Sequence, residues 1–149
     1  MPLIRRIVLL AAAVFVFFAC TASLVLADGI DAGLWKITSR TETGGVIGPP
    51  HESSKCLTRE AVDDIAGTFS PDAHTINSVC APIDMTYTGQ ILTWRLVCKG
   101  QLNMELDGEF NFDTTHHYTA TVRSKASMVG QIMIDSQQMI EAQWVSECQ

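Results

Sequence analysis

From Leu92 to the C-terminus, apolar side chains fall mainly on even-numbered positions and polar side chains on the odd positions between them. A period of two is typical of β-strands that bury one face and expose the other. Segments around Trp35 and Met85 place apolar residues on odd positions instead. The even positions predicted to point inwards are Leu92, Trp94, Leu96, Cys98, Leu102, Met104, Leu106, Phe110, Phe112, Tyr118, Ala120, Val122, Ile132, Ile134, Ile140, Ala142, Trp144 and Cys148. The pattern predicts an all-β fold, an antiparallel meander of about seven strands forming a strongly curved sheet or a barrel.

Short turns predict how these strands pair. A two-residue turn at Thr88-Gly89 joins partners whose numbers add to an odd value, which brings the odd-numbered apolar face beside the even-numbered one. A three-residue loop over residues 99–101 and a turn over residues 113–115 preserve parity. The expected partners are Tyr87 with Gln90, Met85 with Leu92, Ile83 with Trp94, Leu96 with Met104, Trp94 with Leu106, Arg95 with Glu105, Glu105 with Arg123, and Asn103 with Lys125. This register gathers the apolar residues on one face and pairs opposite charges on the other.

One short helix is expected to interrupt the strands. Thr58 suits its N-cap and Glu60 its first turn, Val62 and Ile65 form its inward edge, and Gly67 ends it.

Residues 1–27 have the layout of a secretory signal peptide. Arg5 and Arg6 precede a long apolar run, and the small side chain of Ala27 stands at the cleavage position. We expect cleavage after Ala27, leaving residues 28–149 as one β-rich, disulfide-stapled domain in a bacterial periplasm, with membrane contact only transiently through the leader. Two alternatives stay open: residues 7–27 as an uncleaved membrane anchor, and Cys20 as a lipid acceptor.

The charge balance excludes one class of partner. Ten basic and sixteen acidic side chains give a net charge of −6, and removal of Arg5 and Arg6 with the leader makes it −8. Phosphate recognition needs a basic face, so we expect no nucleic-acid partner, and anionic membrane surfaces are disfavoured for the same reason.

Four cysteines lie outside the leader, an even number that predicts two disulfides in an exported domain. No pair has the C-x-x-C spacing of a redox centre or zinc ribbon. Of the three possible pairings, we favour Cys56–Cys80, which would close a loop around the helix, and Cys98–Cys148, which would join an inner strand to the C-terminus.

The adjacent pair His116-His117 is the strongest candidate for catalysis or metal binding. Neighbours on a strand point to opposite faces, so one ion would engage both imidazoles only at a turn. The chain carries no P-loop, dinucleotide fingerprint, G-x-S-x-G or H-E-x-x-H motif. We therefore assign no catalytic residue, metal ligand or cofactor from the sequence.

Several anchors resemble those of a bacterial family of small exported proteins known as domain of unknown function 3617. They are Gly33-Leu34-Trp35, Cys56-Leu57-Thr58, Cys80, Trp94-x-x-x-Cys98, Gly108 and Cys148. The chain departs from the family pattern at Ala32, where Pro is frequent, and at Ser146-Glu147, where a Gly commonly precedes the last cysteine. The resemblance implies an envelope protein of unknown activity, with no catalytic residues to carry over.

Three functional hypotheses follow. The first is a non-enzymatic binding module for a small apolar ligand or an envelope partner. The cavity that holds the ligand would be lined by Trp94, Leu106, Phe110, Phe112, Tyr118 and Trp144. The second is a hydrolase or metal-dependent enzyme that uses His116 or His117. The third is a structural or inhibitory envelope protein acting through residues 43–54, whose Gly44-Gly45 and Pro49-Pro50 predict a mobile loop.

Overall fold

The computed structural model describes residues 29–71 and 78–149, which form nine strands and two short helices. The elements in chain order are β1 Gly33–Thr43, β2 Val46–Ile47, β3 His51–Leu57, α1 Arg59–Asp63, α2 Ile65–Phe69, β4 Ser78–Cys80, β5 Asp84–Tyr87, β6 Ile91–Gly100, β7 Asn103–Thr114, β8 His117–Met128 and β9 Gln131–Ser146. The predicted leader, its cleavage position and Cys20 lie outside the described residues. Within the described ranges, no helix is long and apolar enough to cross a membrane.

All nine strands belong to one antiparallel sheet. Strands β6 to β9 form a meander, and β1 pairs with β9, so the first strand lies beside the last. Strands β2 and β3 both pair with β1, whereas β4 and β5 both pair with β6. The nine strands thus occupy seven rows. The all-β prediction is confirmed in its curved-sheet form, because the sheet curves but does not close into a barrel.

The parity rule identifies the buried face along most of the sheet. We call the face that packs against α1 and α2 the inner face. Its fully buried side chains come from the predicted positions, with Leu92 and Phe112 both at 0% exposure. Trp35, on the odd-numbered strand near the N-terminus, is also fully buried. The predicted burial is wrong at Ile132 and Ile134, which are 62% and 48% exposed, and at Cys148, which is also exposed.

Strand β5 is also more exposed than the pattern predicts. Met85 and Tyr87 were expected to point inwards, but they are 41% and 37% exposed. Among the described strands, β5 pairs only with β6 and lies at the edge of the sheet, so less of the core covers it.

The predicted register is wrong by two residues in three hairpins. Met85 pairs with Trp94 rather than Leu92, Leu96 pairs with Leu106, and Glu105 pairs with Lys125 rather than Arg123. A shift of two preserves parity, so the predicted faces survive. The remaining revised partners are Tyr87 with Leu92, Asp84 with Arg95, Trp94 with Gly108, Arg95 with Asp107, Asp107 with Arg123, and Asn103 with Ser127.

The turns lie one residue later along the chain than predicted, and side-chain hydrogen bonds stabilise two of them. The hydroxyl of Thr88 accepts a hydrogen bond from the Ile91 amide at 3.1 Å and also donates to the Ile91 carbonyl. Between β6 and β7, the Gly100 amide donates to the Asn103 side-chain oxygen at 3.3 Å. The Thr88 amide also donates to the Ile91 carbonyl at 3.0 Å, so Gly89-Gln90 forms a two-residue turn one position later than expected. The side-chain bonds satisfy backbone groups at these turns.

The single predicted helix is two helices. Thr58 caps α1 as predicted, accepting a hydrogen bond from the Ala61 amide at 3.3 Å. The backbone leaves the helical conformation at Asp64, whose carboxylate then caps α2 by accepting from the Gly67 amide at 2.9 Å. Gly67 consequently lies within α2 rather than ending it. Val62 and Ile65 are buried against the sheet, as predicted.

Residues 43–54 are mostly strand, not the mobile loop expected from their glycines and prolines. After a turn at Gly44-Gly45, β2 pairs with the end of β1, and β3 pairs with its first half from Gly33 to Ser39. Gly44 and Gly45 both have positive φ angles, of 59° and 82°, which suits glycine at such a turn.

Both predicted disulfide pairings are wrong. Cys56 bonds with Cys148, and Cys80 bonds with Cys98. Cys80 lies directly opposite Cys98 in the β4–β6 pairing. Cys98 and Cys148 could not meet, because β7 and β8 separate their strands and they lie towards opposite ends of the sheet. Cys148 instead reaches Cys56 across the first residues of β1, which pairs with both β3 and β9.

Each tryptophan indole donates a hydrogen bond to a carbonyl outside the sheet. Trp35 donates to Asp31 and Trp144 to Ala32, both in the segment before β1, at 3.1 Å. Trp94 donates to Phe69, the last residue of α2, at 2.9 Å. The indoles therefore hold the helices and the N-terminal segment against the inner face.

The disulfide pairing can be tested with single variants. In Cys56→Ser, the released thiol should be that of Cys148, whereas Cys80 and Cys98 should remain bonded. Alkylation without reduction, followed by peptide mass mapping, should therefore label Cys148 alone. Labelling of Cys80 instead would restore the pairing that we first favoured.

The contact between Trp94 and Gly108 predicts that a side chain at position 108 destabilises the fold. Trp94 lies over Gly108, and a Cβ atom at this glycine would overlap the indole. Gly108→Ala should lower the free energy of unfolding by about 2–3 kcal/mol because the ring has no adjacent space. Urea unfolding should also show partial relief in the double variant Gly108→Ala/Trp94→Phe, whose smaller ring avoids the overlap. If the stability lost in the double variant equals the sum of the losses in Gly108→Ala and Trp94→Phe, the contact is contradicted.

Candidate functional site

The residues predicted to bind a ligand form the packed core of the inner face. Phe69 of α2 inserts among three of the rings, with centroid distances of 5.3 Å to Phe110, 5.4 Å to Phe112 and 5.3 Å to Tyr118. Trp94 is 5% exposed and belongs to the same cluster. The rings therefore fill the space beneath the helices with contacts among themselves.

Leu106 and Trp144 pack at the margin of this cluster and are only partly buried. The chain therefore brings all six predicted residues together, as the alternation required. Whether any of them binds a ligand stays a prediction, and their mutual packing accounts for their burial.

His116 belongs to a stacked pair beside the N-terminal segment. Its ring stacks on Trp144 with a centroid distance of 4.6 Å and an interplanar angle of 13°. Its Nε2 atom lies 2.9 Å from the Asp31 carboxylate, and the Asp31 amide donates to the Thr115 carbonyl at 2.9 Å. This arrangement packs the β7–β8 turn against the residues that precede β1.

His117 contacts a different set of groups. Its Nδ1 atom lies 2.7 Å from Asp113, and its Nε2 atom lies 3.5 Å from Glu141. The two imidazoles thus have separate partners. Among residues 29–71 and 78–149, no group of three or more His, Cys, Asp or Glu side chains is arranged to hold a metal ion.

The other face of the sheet, which we call the outer face, carries alternating charges across adjacent strands. Strand pairing places Asp84 beside Arg95, Arg95 beside Asp107, and Asp107 beside Arg123. Arg95 contacts both Asp107, at 3.7 Å, and Glu105, at 3.1 Å, so the predicted Arg95–Glu105 ion pair forms diagonally. A shallow groove of about 290 Å³ runs along this row. Three acidic and two basic side chains line the groove, so their charges largely compensate and leave little excess of one sign for a charged ligand.

A third feature lies at the end of the β8–β9 hairpin. We define the β8–β9 tip as residues 127–134, with the sequence Ser-Met-Val-Gly-Gln-Ile-Met-Ile and no charged side chain. Its exposed apolar residues and their exposures are Met128 42%, Val129 93%, Ile132 62%, Met133 63% and Ile134 48%. Grouped apolar exposure of this kind marks an interaction surface more often than isolated exposed residues do.

A β-bulge distributes these side chains over both faces of the hairpin. Ile134 lies opposite Ala126 and Ile132 lies opposite Ser127, so the register shifts at the intervening Met133. Directly paired residues share a face. Ile134 therefore lies on the same face as the buried Ala126, and Ile132 lies on the opposite face.

The tip also has one open strand edge. Strand β1 ends where Thr43 pairs with Ser136, so within the described chain Gln131–Ile134 pair only with β8. The tip therefore extends beyond the neighbouring strand.

The turn of the tip is strained at Val129. Val129 has a φ of 49°, the only positive φ among the described non-glycine residues, and Gly130 follows with a φ of 76°. Two positive φ angles favour Asn-Gly in a two-residue turn, whereas a β-branched residue is costly there. Valine at this position therefore combines a strained backbone with a side chain that is 93% exposed.

Alternation alone did not predict this feature, because it placed Ile132 and Ile134 in the core. A signal was present: Met128-Val129 and Ile132-Met133-Ile134 are consecutive apolar residues, which a strand with one buried face does not require. The break in alternation coincides with the bulge.

The fold and these features define a small disulfide-bonded β-sheet domain with an aromatic core and an apolar hairpin tip. A family model described as "Protein of unknown function (DUF3617)" matches residues 30–148, and the chain belongs to this family. The match confirms the resemblance seen in the cysteine, glycine and tryptophan anchors. No curated protein and no solved structure matches the chain.

The burial of Tyr118 predicts that the domain loses unfolding free energy at alkaline pH. Burial raises its pKa from 10.0 to about 12. The stability contributed by its neutral form is therefore complete below about pH 10 and is lost as the pH rises towards about 12. Between about pH 9 and about pH 11.5, wild type should lose about 2 kcal/mol more unfolding free energy than Tyr118→Phe. Urea unfolding of both proteins measures this difference, and parallel pH profiles would contradict it.

Proposed function

We propose that this protein is an exported module of the bacterial cell envelope that binds a hydrophobic partner through the β8–β9 tip. The observation that carries the proposal is the tip itself, eight uncharged residues with apolar side chains exposed on both faces. This role is the envelope-partner form of the first hypothesis drawn from the sequence.

Export is supported by two independent features. Residues 1–27 have the pattern of a signal peptide, and the four cysteines of the remaining chain form two disulfides. Disulfides persist in oxidising compartments such as the periplasm and are rare in the cytosol.

The packing of the inner face favours a surface partner over an internal ligand. Phe69 already occupies the space among Phe110, Phe112 and Tyr118, so an apolar ligand would have to displace it. At the tip, no such displacement is needed. Burial of one aliphatic side chain contributes about 1.5–3 kcal/mol, and the tip offers several that the fold leaves in water.

Strain at Val129 adds a second line of support. Asparagine adopts a left-handed backbone more readily than valine does, and water would solvate its polar side chain at this exposed turn. A binding role accounts for a valine at this position, because its side chain contributes stability only when a partner covers it.

Site-specific photo-crosslinking in bacterial cells tests the proposal. A photo-reactive amino acid at Met133 should form an ultraviolet-dependent adduct with an envelope component, because this side chain is 63% exposed at the proposed surface. The matched control position is Thr119, an exposed residue of β8 on the outer face. We expect at least five times more adduct at position 133 than at position 119.

Two results would count against the role of the tip. One is equal adduct formation at both positions, which would indicate random encounters. The other is no adduct at position 133 in protein that is folded and recovered from the envelope.

A further inference from the structure

We propose that the partner of the β8–β9 tip is a zwitterionic phospholipid surface, into which the tip inserts end-on. This inference rests on the proposed function and specifies its partner. The argument uses the distribution of the apolar side chains, the size of the tip and its charge.

The apolar side chains surround the tip rather than forming one docking face. Ile134 and Ile132 lie on opposite faces of the hairpin, and Val129 stands at its apex with 93% exposure. A protein groove that covered one face would leave the other in water. A bilayer covers all sides of an inserted element at once, without shape complementarity.

The tip is too small for a stable protein interface. Specific complexes bury about 800 Å² on each partner, contributed by about 20–30 residues a side. The uncharged stretch has eight residues, and the acidic Asp135 follows it directly. A second copy of the chain pairing along the open edge Gln131–Ile134 would have the same shortage of area.

The charge of the protein selects the kind of lipid. The tip has no charged side chain, and the whole chain carries a net charge of −6. An anionic surface would repel the domain, whereas a zwitterionic surface has no net charge to oppose insertion. Lys125 and Asp135 pair across the hairpin, with 3.9 Å between their charged atoms. This ion pair would lie among the lipid headgroups when the tip is inserted.

The open edge of β9 limits the depth of insertion. Backbone groups on the unpaired side of Gln131–Ile134 need hydrogen-bond partners, which the hydrocarbon core does not provide. The tip should therefore occupy the interfacial region, where water and headgroups satisfy these groups.

The tip lies at the end of the sheet opposite the described N-terminus. The Gly29 amide donates to the Gly89 carbonyl, and Asp31 contacts the β7–β8 turn, both at the end where β9 finishes. Lipid binding by the tip is therefore separable from any contribution of residues 1–28, provided that variants share the same N-terminus.

Vesicle flotation provides the first test. The full protein is recovered from the envelope, its N-terminus is determined by intact mass, and it is mixed with phosphatidylcholine vesicles. The variant Val129→Asn/Ile132→Thr/Met133→Thr should show at least tenfold weaker partitioning. The matched control Val46→Thr/Ile47→Thr/Val79→Thr removes three apolar side chains that are 72%, 58% and 81% exposed elsewhere, and it should bind like wild type.

The tip variant need not be unstable. Val129→Asn relieves the strain of a β-branched residue at positive φ, so this single variant should raise the thermal midpoint while weakening vesicle binding. If Val129 served only the stability of the fold, the thermal midpoint and vesicle binding would rise or fall together.

Bromine quenching provides the second test. In Met133→Trp, the added indole fluorescence should be quenched by phosphatidylcholine brominated near the glycerol end of the acyl chain, after subtraction of the wild-type signal. The control Thr119→Trp on the outer face should not be quenched. Quenching that is strongest with bromine at the chain terminus would overturn the interfacial placement.

The outcomes separate this inference from the proposed function. A protein adduct at Met133 in cells, together with no flotation, would overturn the lipid partner while retaining the proposed function. A dimer that disappears in the tip variant would assign the surface to a second copy. Flotation that is equal in wild type and the tip variant, or that requires phosphatidylglycerol, would overturn the inference. Absence of both adduct and flotation would overturn both proposals.

Discussion

One apolar face of a sheet that does not close must be covered by something outside the sheet. A closed barrel would bury this face against itself, but the edges formed by β2 and β3 and by β4 and β5 do not pair with each other. The chain instead covers the inner face with α1, α2 and the segment before β1. The three indole hydrogen bonds, to Asp31, Ala32 and Phe69, attach these coverings to the strands. The close approach of Trp94 to Gly108 follows from the same requirement, because an indole can lie flat on the sheet only where a strand has no side chain.

Much of this arrangement was predictable, because burial depends on parity and parity survives a two-residue error in register. The faces of Leu92, Phe112 and Tyr118 follow directly from alternation. Exact partners depend on where each turn lies, and the two turns held by the Thr88 and Asn103 hydrogen bonds lie one residue later than the sequence suggested. The disulfides depend on which strands are neighbours. Alternation carries no information about the pairing of β1 with both β3 and β9, and this pairing is what brings Cys56 near Cys148.

The candidate site was also predictable only in part. The six predicted ligand residues do cluster, but the sequence could not reveal that Phe69 from α2 would fill the space among their rings. At the tip, the alternation continues through Ile132 and Ile134, and only the bulge at Met133 separates them onto two faces. A bulge is a local backbone feature that residue spacing alone does not specify. The consecutive apolar residues around it were the available signal, and the assumption of one continuous buried face concealed it.

The pairing of the first strand with the last has a kinetic consequence. Strand β1 finds its partner in β9 only after almost the whole chain has been synthesised, because the pairing runs as far as Ser146. An emerging chain can form the local hairpins from β6 onwards, yet Trp35 stays without Trp144 beside it until the final residues arrive. Completion of the sheet is therefore a late event, and a growing chain remains only partly folded until β9 is available to β1.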